Sequence, residues 1–324
     1  LSTLIQQALY LIISGLLLSV ELVEEVRLVN SPFILNRVWR YREPFLHFLL
    51  GTLLNSYTIF YFKSASAFTS FGFIAILIAL LTLNEFKRFG KSQTQVHAAF
   101  FSLCLVSYFA TLAPILMGSI GTLPFLTAVM ASILIFAGYY QFLNSRIELP
   151  SVLLRTHLLF PFVVIHSFFV ILYFTHLIPP VPLSVSYMGI FHNVEKKDGE
   201  YQLTYTRPRW KFWQHGDQTF EARSGDSIFC FVRVFSPARF HGQLQVRWLF
   251  WSEKRGWLPS DAIPMPIVGG REEGYRGVTK KMNYQPGEWR VQIETMDNRE
   301  VGRIHFTVVP DETLLERELQ TEVH

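Results

Sequence analysis

Cysteine and recognisable catalytic motifs are both scarce in this chain. Its 324 residues include only two cysteines, Cys104 and Cys230. Cys104 lies in an apolar run and Cys230 in a predicted strand, so we interpret both as free buried thiols rather than as a disulfide. The sequence contains no GxSxG, HExxH, P-loop or CxxC motif. These absences favour a protein that is not an enzyme, and we predict no cofactor.

Charged residues are rare in the first half of the chain. Residues 1–182 contain ten Lys and Arg and six Asp and Glu, whereas residues 183–324 contain nineteen of each class. The net charge of +4 therefore belongs to the first half. A uniform basic excess would suggest nucleic-acid binding, but this uneven excess indicates membrane-topology signals instead. We expect no nucleic-acid partner.

Long apolar runs fill the first half and predict a membrane α-helical bundle. A hydrocarbon core about 30 Å thick needs about 20 apolar residues in a helix. The longest run is divided in two by Pro114, Gly118, Gly121 and Pro124. The first segment spans the membrane or lies flat at its interface, and membrane lipids are expected partners. The six predicted spans cover residues 1–20, 45–62, 65–84, 97–117, 122–143 and 157–178.

The loops between these spans predict the orientation of the bundle. Residues 21–43, 84–97 and 144–156 together contain nine Lys and Arg, whereas the short loops on the opposite side contain only Lys63. By the positive-inside rule the three basic loops face the cytoplasm. Six spans then place residues 183–324 outside the cytoplasm.

Alternating apolar and polar residues predict that the second half is an all-β domain. The apolar residues recur at every second position in "SIFCFVRVF" (227–235), "QLQVRWLFW" (243–251) and "WRVQIET" (289–295). Period two with one apolar face is typical of antiparallel sheets around a core. We predict an immunoglobulin-like β-sandwich of about seven to nine strands over residues 183–310, without the Cys…Trp…Cys hallmark. A short polar helix is predicted over residues 311–324.

Two stretches of sequence resemble known families. "GYRGVTKKMNYQPGEWRVQIETMDNREVGRIHF" resembles the domain of unknown function 2914, and "REPFLHFLLGTLLNSYTIFYFKSAS" with "LAPILMGSIG" resembles the domain of unknown function 5924. The resemblance implies a multi-pass inner-membrane protein of a Gram-negative bacterium with a periplasmic C-terminal domain. It implies no activity and assigns no functional residue.

Aromatic and basic residues alternate in two short stretches, "RPRWKFW" (207–213) and "WSEKRGW" (251–257). Such mixtures suit contact with a protein partner, a polysaccharide or lipid headgroups. The alternative is that the tryptophans belong to the core and the charges are solvated. The candidate contact residues are Arg207, Arg209, Trp210, Lys211, Trp213 and Trp257.

Three histidines lie near the same predicted end of their spans. His47, His97 and His157 could meet as a haem or metal site, because imidazole suits both. The alternative is hydrogen bonding between helices or at the interface, which is common in bundles. We expect no buried Asp or Glu and no mid-span Arg or Lys in any span, and this absence counts against a coupled pump.

Lys63, at the opposite end of the second span, has two interpretations. Its side chain extends to the membrane surface along its own apolar stem, or it lines an outer vestibule for an anionic headgroup or substrate.

These features favour a non-catalytic membrane scaffold or accessory subunit whose periplasmic β-sandwich binds a partner protein or envelope polymer. The alternative is a lipid or small-molecule carrier with a groove near Lys63. A weaker alternative is a haem-bearing redox accessory. The oligomeric state is not predicted.

Overall fold

The structure is a computed structural model that describes residues 2–26, 41–64, 71–84, 93–236, 240–268, 274–313 and 316–324. The chain divides into two compact units. The helical unit ends at Val181 and the β unit begins at Pro182.

The described residues of the helical unit form six helices. Five of them, all except α3, are long and apolar enough to cross a membrane, which is compatible with a multi-pass membrane protein. The described part of α3 has 14 residues, so the six predicted spans stay a prediction. The helices are α1 (Ser2–Val26), α2 (Arg42–Ser64), α3 (Phe71–Asn84), α4 (Gln93–Met117), α5 (Thr122–Ser145) and α6 (Ser151–Phe174).

Helix α1 continues past its predicted end at residue 20. It passes through Glu21, Glu24 and Glu25 before it ends at Val26. The carboxylates do not terminate the helix because each has a partner on another helix. Glu21, with 22% of its side chain exposed, therefore lies inside a candidate span that the prediction ended one residue earlier.

Glycine and proline set the other irregularities of the helical unit. The break between α4 and α5 lies at residues 118–121, where Gly118 and Gly121 have φ of 64° and 131°, values that favour glycine. Inside α6, residues Leu154–Leu159 form a π-helical turn that ends two residues before Pro161. Proline has no N–H and its ring crowds the carbonyl four residues earlier, so the wider turn accommodates it.

Aromatic side chains fill the contact between α5 and α6. Phe125 stacks on Tyr173 with ring centroids 3.5 Å apart, and Phe136 stacks on Phe162 at 3.6 Å. These four side chains belong to the buried core of the helical unit. Their stacking fixes the two helices against each other.

The described residues of the β unit form eleven strands, more than expected. Strand order is β1-β5-β8 in one sheet, β4-β10-β9-β6-β7 in a five-stranded sheet and β11-β3-β2 in a third. Strand β4 pairs parallel with β10, and the other pairs are antiparallel. The strands are β1 (Ser184–Phe191), β2 (Asn193–Lys197), β3 (Glu200–Tyr205), β4 (Thr219–Ala222), β5 (Ile228–Phe235), β6 (His241–Ser252), β7 (Gly256–Val268), β8 (Tyr275–Lys281), β9 (Gly287–Thr295), β10 (Glu300–Pro310) and β11 (Gln320–Val323).

The apolar face of each central strand is buried, so the β-sheet domain is confirmed. Trp248 of β6 is fully buried and contacts Phe306 of β10 at 6.1 Å between ring centroids. Phe231 of β5 packs with Phe191 and Leu203 in a second small cluster. Strand β5 thus buries side chains on both faces, which one-sided alternation did not predict.

The predicted polar helix over residues 311–324 is wrong. Residues Gln320–Val323 form strand β11, which pairs antiparallel with β3. In the stretch before β11, residues 311–313 and 316–319 are not helical. Arg317 holds this stretch against the β unit by donating to the Asp226 carboxylate at 2.7 Å and to the Glu221 carbonyl at 2.7 Å. These contacts replace the backbone hydrogen bonds that a helix would provide.

Candidate functional site

A loop of residues 206–218, here called the aromatic loop, joins β3 to β4 and is tied down at its two ends. Both oxygens of Asp217 accept from the Thr206 amide at 3.0 Å, and Oδ1 also accepts from the Thr206 hydroxyl at 3.1 Å. The Asp217 amide donates to the Ile190 carbonyl of β1 at 2.7 Å. The buried Asp217 therefore closes the loop and attaches it to the sheet.

Glycine is required at the base of this loop. Gly216 has φ of 65° and forms a bridge with Ile190 of β1. A Cβ atom at this position would overlap the carbonyl oxygen of Ile190. The close backbone approach and the left-handed conformation both exclude larger residues.

Arg207 organises the interior of the loop. Its guanidinium donates to the Lys211 carbonyl at 2.8 Å and to the Gln214 carbonyl, and it lies 4.9 Å from the centroid of the Tyr205 ring. Two backbone hydrogen bonds close turns within the loop. The Lys211 amide donates to the Pro208 carbonyl, and the Gln214 amide donates to the Lys211 carbonyl. Arg207, predicted as a contact residue, is thus committed to contacts inside the loop.

Three aromatic side chains project from the fixed backbone. The exposed fractions are 64% for Trp210, 79% for Phe212 and 58% for Trp213. Trp213 contacts the other two rings edge to face, at interplanar angles of 67° and 81°. Phe212 was not among the predicted contact residues although it lies in the same stretch. The three rings form a compact apolar projection rather than a flat surface.

Basic groups border this projection. Arg209 is exposed, and the Lys211 ammonium lies 5.3 Å from the centroid of the Trp210 ring. A cation over an aromatic face is attracted by the ring quadrupole. A partner for this surface would combine an apolar recess with acidic groups at its edge.

Burial shifts the pKa values of two neighbouring side chains, Asp217 at the end of the loop and His192 after β1. Burial raises the pKa of Asp217 to about 6, against the hydrogen bonds from Thr206 that lower it. Burial and the nearby Arg317 lower the pKa of His192 to about 4. The His192 Nε2 and Asp217 Oδ2 atoms are 3.6 Å apart. No motif in the sequence indicated this pair.

Trp257 lies on strand β7 of the five-stranded sheet, not on the aromatic loop. The Arg290 guanidinium stacks 3.9 Å above its ring, and Trp251 and His305 contact it at 5.2 and 5.4 Å between ring centroids. The two sequence stretches that looked alike are therefore separate features of the β unit.

The structure brings together two of the three candidate histidines of the helical unit. The Nε2 atoms of His97 and His47 are 3.1 Å apart, and His97 Nδ1 is 2.8 Å from Glu21 Oε2. His157 Nδ1 instead lies 2.9 Å from Glu25 Oε2. Within the described parts of the chain, no three His, Cys, Asp or Glu side chains converge as a metal ion would require.

The sequence prediction missed the glutamates of these pairs. Glu21 and Glu25 are four residues apart and so lie on one face of α1. This spacing was readable in the sequence, but the helix was predicted to end at residue 20.

An apolar groove of 360 Å³ lies between α1, α4 and α5. Gly15, Phe101 and Tyr139 are among its lining residues, which include no charged side chain. Lys63, predicted to line an outer vestibule, does not line this groove; it is exposed in the last turn of α2.

Comparison with protein families identifies one domain. Residues 242–308 match the family described as protein of unknown function (DUF2914), which confirms the first resemblance. The matched residues run from β6 into β10. The aromatic loop lies before this region. The resemblance of the first half to the domain of unknown function 5924 stays a prediction.

Solved structures with similarity to this chain cover less than half of it. An immunoglobulin-like protein from Pseudomonas aeruginosa is 12% identical with a TM-score of 0.24, and the match covers 40% of this chain and 98% of that one. A β-glucosidase from Listeria innocua in complex with gluconolactone is 11% identical with a TM-score of 0.23, covering 36% and 17%. A search of curated proteins found no match.

Proposed function

We propose that the chain is a non-catalytic membrane scaffold whose β unit binds a partner protein through the aromatic loop. The observation that carries this proposal is the exposure of Trp210, Phe212 and Trp213 on a loop whose backbone is fixed by Arg207 and Asp217. A fixed loop loses little conformational entropy on binding, so most of the contact energy is available for affinity.

The ring geometry favours a protein over an envelope polysaccharide. A sugar ring stacks on a flat aromatic face, whereas the rings around Trp213 meet at 67° and 81°. A projecting cluster fits a recess in a protein surface, and Trp and Arg are enriched among the residues that dominate such interfaces. Lipid headgroups suit the same residue types, and the experiment below separates them from a protein partner.

The proposed location of the β unit is the periplasm, beyond the inner membrane of a Gram-negative bacterium. The five apolar helices and the nine basic residues of the predicted cytoplasmic loops support this location. We also propose that the β unit is an immunoglobulin-like sandwich, a fold used widely for binding.

A photo-crosslinking residue in the aromatic loop tests the proposal. With p-benzoylphenylalanine at position 212, irradiation of intact cells should give one discrete protein adduct of the chain. The same residue at position 235 is the matched control, because Phe235 is also exposed, at 45%, but lies on β5. Adducts with lipid alone at position 212, or the same adduct from both positions, would contradict a protein partner at the loop.

The contribution of one ring can then be measured with the captured partner. Trp213→Ala should weaken binding by about fivefold or more, because truncation of a central aromatic residue in an interface costs about 1 kcal/mol or more. Phe235→Ala should leave affinity unchanged. A Trp213→Ala chain with wild-type affinity would remove the loop from the interface.

The other two functions are less well supported by the geometry. A lipid carrier must accommodate a polar headgroup, but the described groove has no charged lining residue and is not lined by Lys63. A haem site would need imidazole nitrogens directed at one iron, whereas His47 and His97 are within hydrogen-bonding distance of each other and His157 pairs with Glu25.

A further inference from the structure

A chain of three ionisable side chains crosses three helices of the helical unit. Glu21 of α1, His97 of α4 and His47 of α2, here called the triad, are joined by contacts of 2.8 and 3.1 Å. Only 1% of the His97 side chain is exposed. The Thr94 hydroxyl donates to the second carboxylate oxygen of Glu21 at 3.1 Å. Ionisable residues within membrane segments commonly mark proton pathways or ligand sites.

One arrangement of protons satisfies both contacts of the triad when Glu21 is ionised. An ionised carboxylate only accepts, so His97 Nδ1 donates to Glu21. A neutral His97 then has a lone pair on Nε2, which accepts from the Nε2–H of His47. In this state both imidazoles are neutral, and the triad carries the single negative charge of Glu21.

One added proton would neutralise this charge. It would bind at Nδ1 of His47, and the Nε2 proton of His47 would pass across the 3.1 Å contact to His97 Nε2. His97 becomes an imidazolium that donates to Glu21 through Nδ1 and to His47 through Nε2. The contact to Glu21 becomes an ion pair, and hydrogen bonds between ionised groups are about twice as strong as neutral ones.

The other described charges on α1 and in the first turn of α2 have partners. On α1, Glu24 pairs with Arg42 of α2, and Glu25 pairs with His157 of α6. On α2, Glu43 accepts from the Gln93 amide at 2.5 Å. Arg155 of α6 is exposed. Across the described part of α4, His97 is the one ionisable imidazole, and no Lys, Arg, Asp or Glu accompanies it.

We propose that Glu21, His97 and His47 form a proton-binding site that ties α1, α2 and α4 together when it is occupied. The site takes up one proton per chain, which resides on His97 between the carboxylate and the second imidazole. Proton binding strengthens the contact between α1 and α4, so the association of these helices depends on the proton concentration at this end of the helical unit.

Nuclear magnetic resonance of the full chain, labelled with ¹⁵N-histidine in micelles, tests the site directly. Ring-nitrogen shifts distinguish the two neutral tautomers from imidazolium, and His47→Gln and His97→Gln assign the signals. At pH 8 we expect the Nδ1–H form of His97 and the Nε2–H form of His47. At pH 5 we expect one imidazolium in the pair. EDTA is included because two imidazole nitrogens can also hold a transition metal.

Two variants change the proton affinity in opposite directions. Glu21→Gln should weaken proton binding by the pair about tenfold, because the charge that it neutralises is gone. Thr94→Val should strengthen it about threefold, because the carboxylate loses a hydrogen bond that stabilises its charge. Size-exclusion chromatography of each variant checks that it folds.

Glu25→Gln is the matched control. It removes a glutamate one turn along α1 whose partner is His157, so proton binding by the His47–His97 pair should change less than twofold while the His157 signal changes. Two neutral tautomers that persist to pH 5, or equal effects of Glu21→Gln and Glu25→Gln, would overturn the proposal. An unaltered titration in Thr94→Val would also count against it.

Discussion

Asp217 and His192 lie 3.6 Å apart in the β unit and should respond to pH in opposite directions. The pKa of Asp217 is raised to about 6 from an ordinary value of 3.8. Between these values the folded chain holds a proton that the unfolded chain releases, so this contribution to stability falls as pH rises. The pKa of His192 is lowered to about 4 from 6.5, so its contribution rises with pH over nearly the same window.

Single substitutions should expose the two opposing slopes. Between pH 4 and 6.5, Asp217→Asn should make the free energy of unfolding rise more steeply with increasing pH than in wild type. His192→Gln should make it fall with increasing pH. Each full effect is about 3 kcal/mol from the pKa changes. Urea unfolding followed by tryptophan fluorescence measures both, because six of the seven tryptophans lie after residue 182. Parallel pH profiles for the variants and wild type would refute this account.

The sequence indicated which residues could form the site but not which way each side chain points. Trp210 and Trp213 were predicted contact residues, and they are exposed. Arg207 belongs to the same stretch, yet its guanidinium turns into the loop to reach two carbonyls. Alternation in a loop carries no directional information, because only regular elements fix the side to which successive residues point.

The aromatic loop depends on its attachment to β1. Gly216→Ala should lower the free energy of unfolding of the β unit by about 2 kcal/mol or more, since a positive φ and an overlap with the Ile190 carbonyl act together. Urea unfolding measures the change. The exposed rings should also lose their fixed positions, so binding of the crosslinked partner should weaken.

Gly199→Ala separates the overlap from the backbone strain. Gly199, in the turn between β2 and β3, has φ of 89° but open space where a Cβ atom would lie. Its substitution should cost about 1 kcal/mol. If both variants cost the same, the close approach to β1 contributes nothing.

Elements with a strong period were predictable, and those held by distant contacts were not. The two-residue period of β5, β6 and β9 gave the correct strands because each of them has an apolar face that is buried. The end of α1 was misplaced because Glu21 reads as a boundary until His97 of α4 is known to contact it. The last residues read as a helix, but β11 forms because β3 offers a free edge.

At the scale of the whole molecule, the orientation in the membrane can be tested. Alkaline phosphatase fused after His324 should be active in a Gram-negative host, since this enzyme folds only after export. The same enzyme fused after Arg146, in a predicted cytoplasmic loop, should be inactive. Green fluorescence from a cytosol-only reporter fused after His324 would reverse the proposed orientation.

Composition anticipated the division of the chain better than the number of spans. The change from a nearly uncharged half to one with balanced charge coincides with the boundary between Val181 and Pro182. Hydropathy marks a segment as apolar, but the 14 described residues of α3 are too few to establish a crossing by length.

The pairing of β11 with β3 has a consequence for biosynthesis. Tyr205 ends β3 and Gln320 begins β11, so a ribosome adding 5–20 residues per second needs about 6–23 s to travel between them. During that interval one edge of β3 is open to wrong pairing. The nascent β unit therefore stays incomplete until translation passes Val323, and a chaperone that covers the open edge of β3 would protect it during that interval.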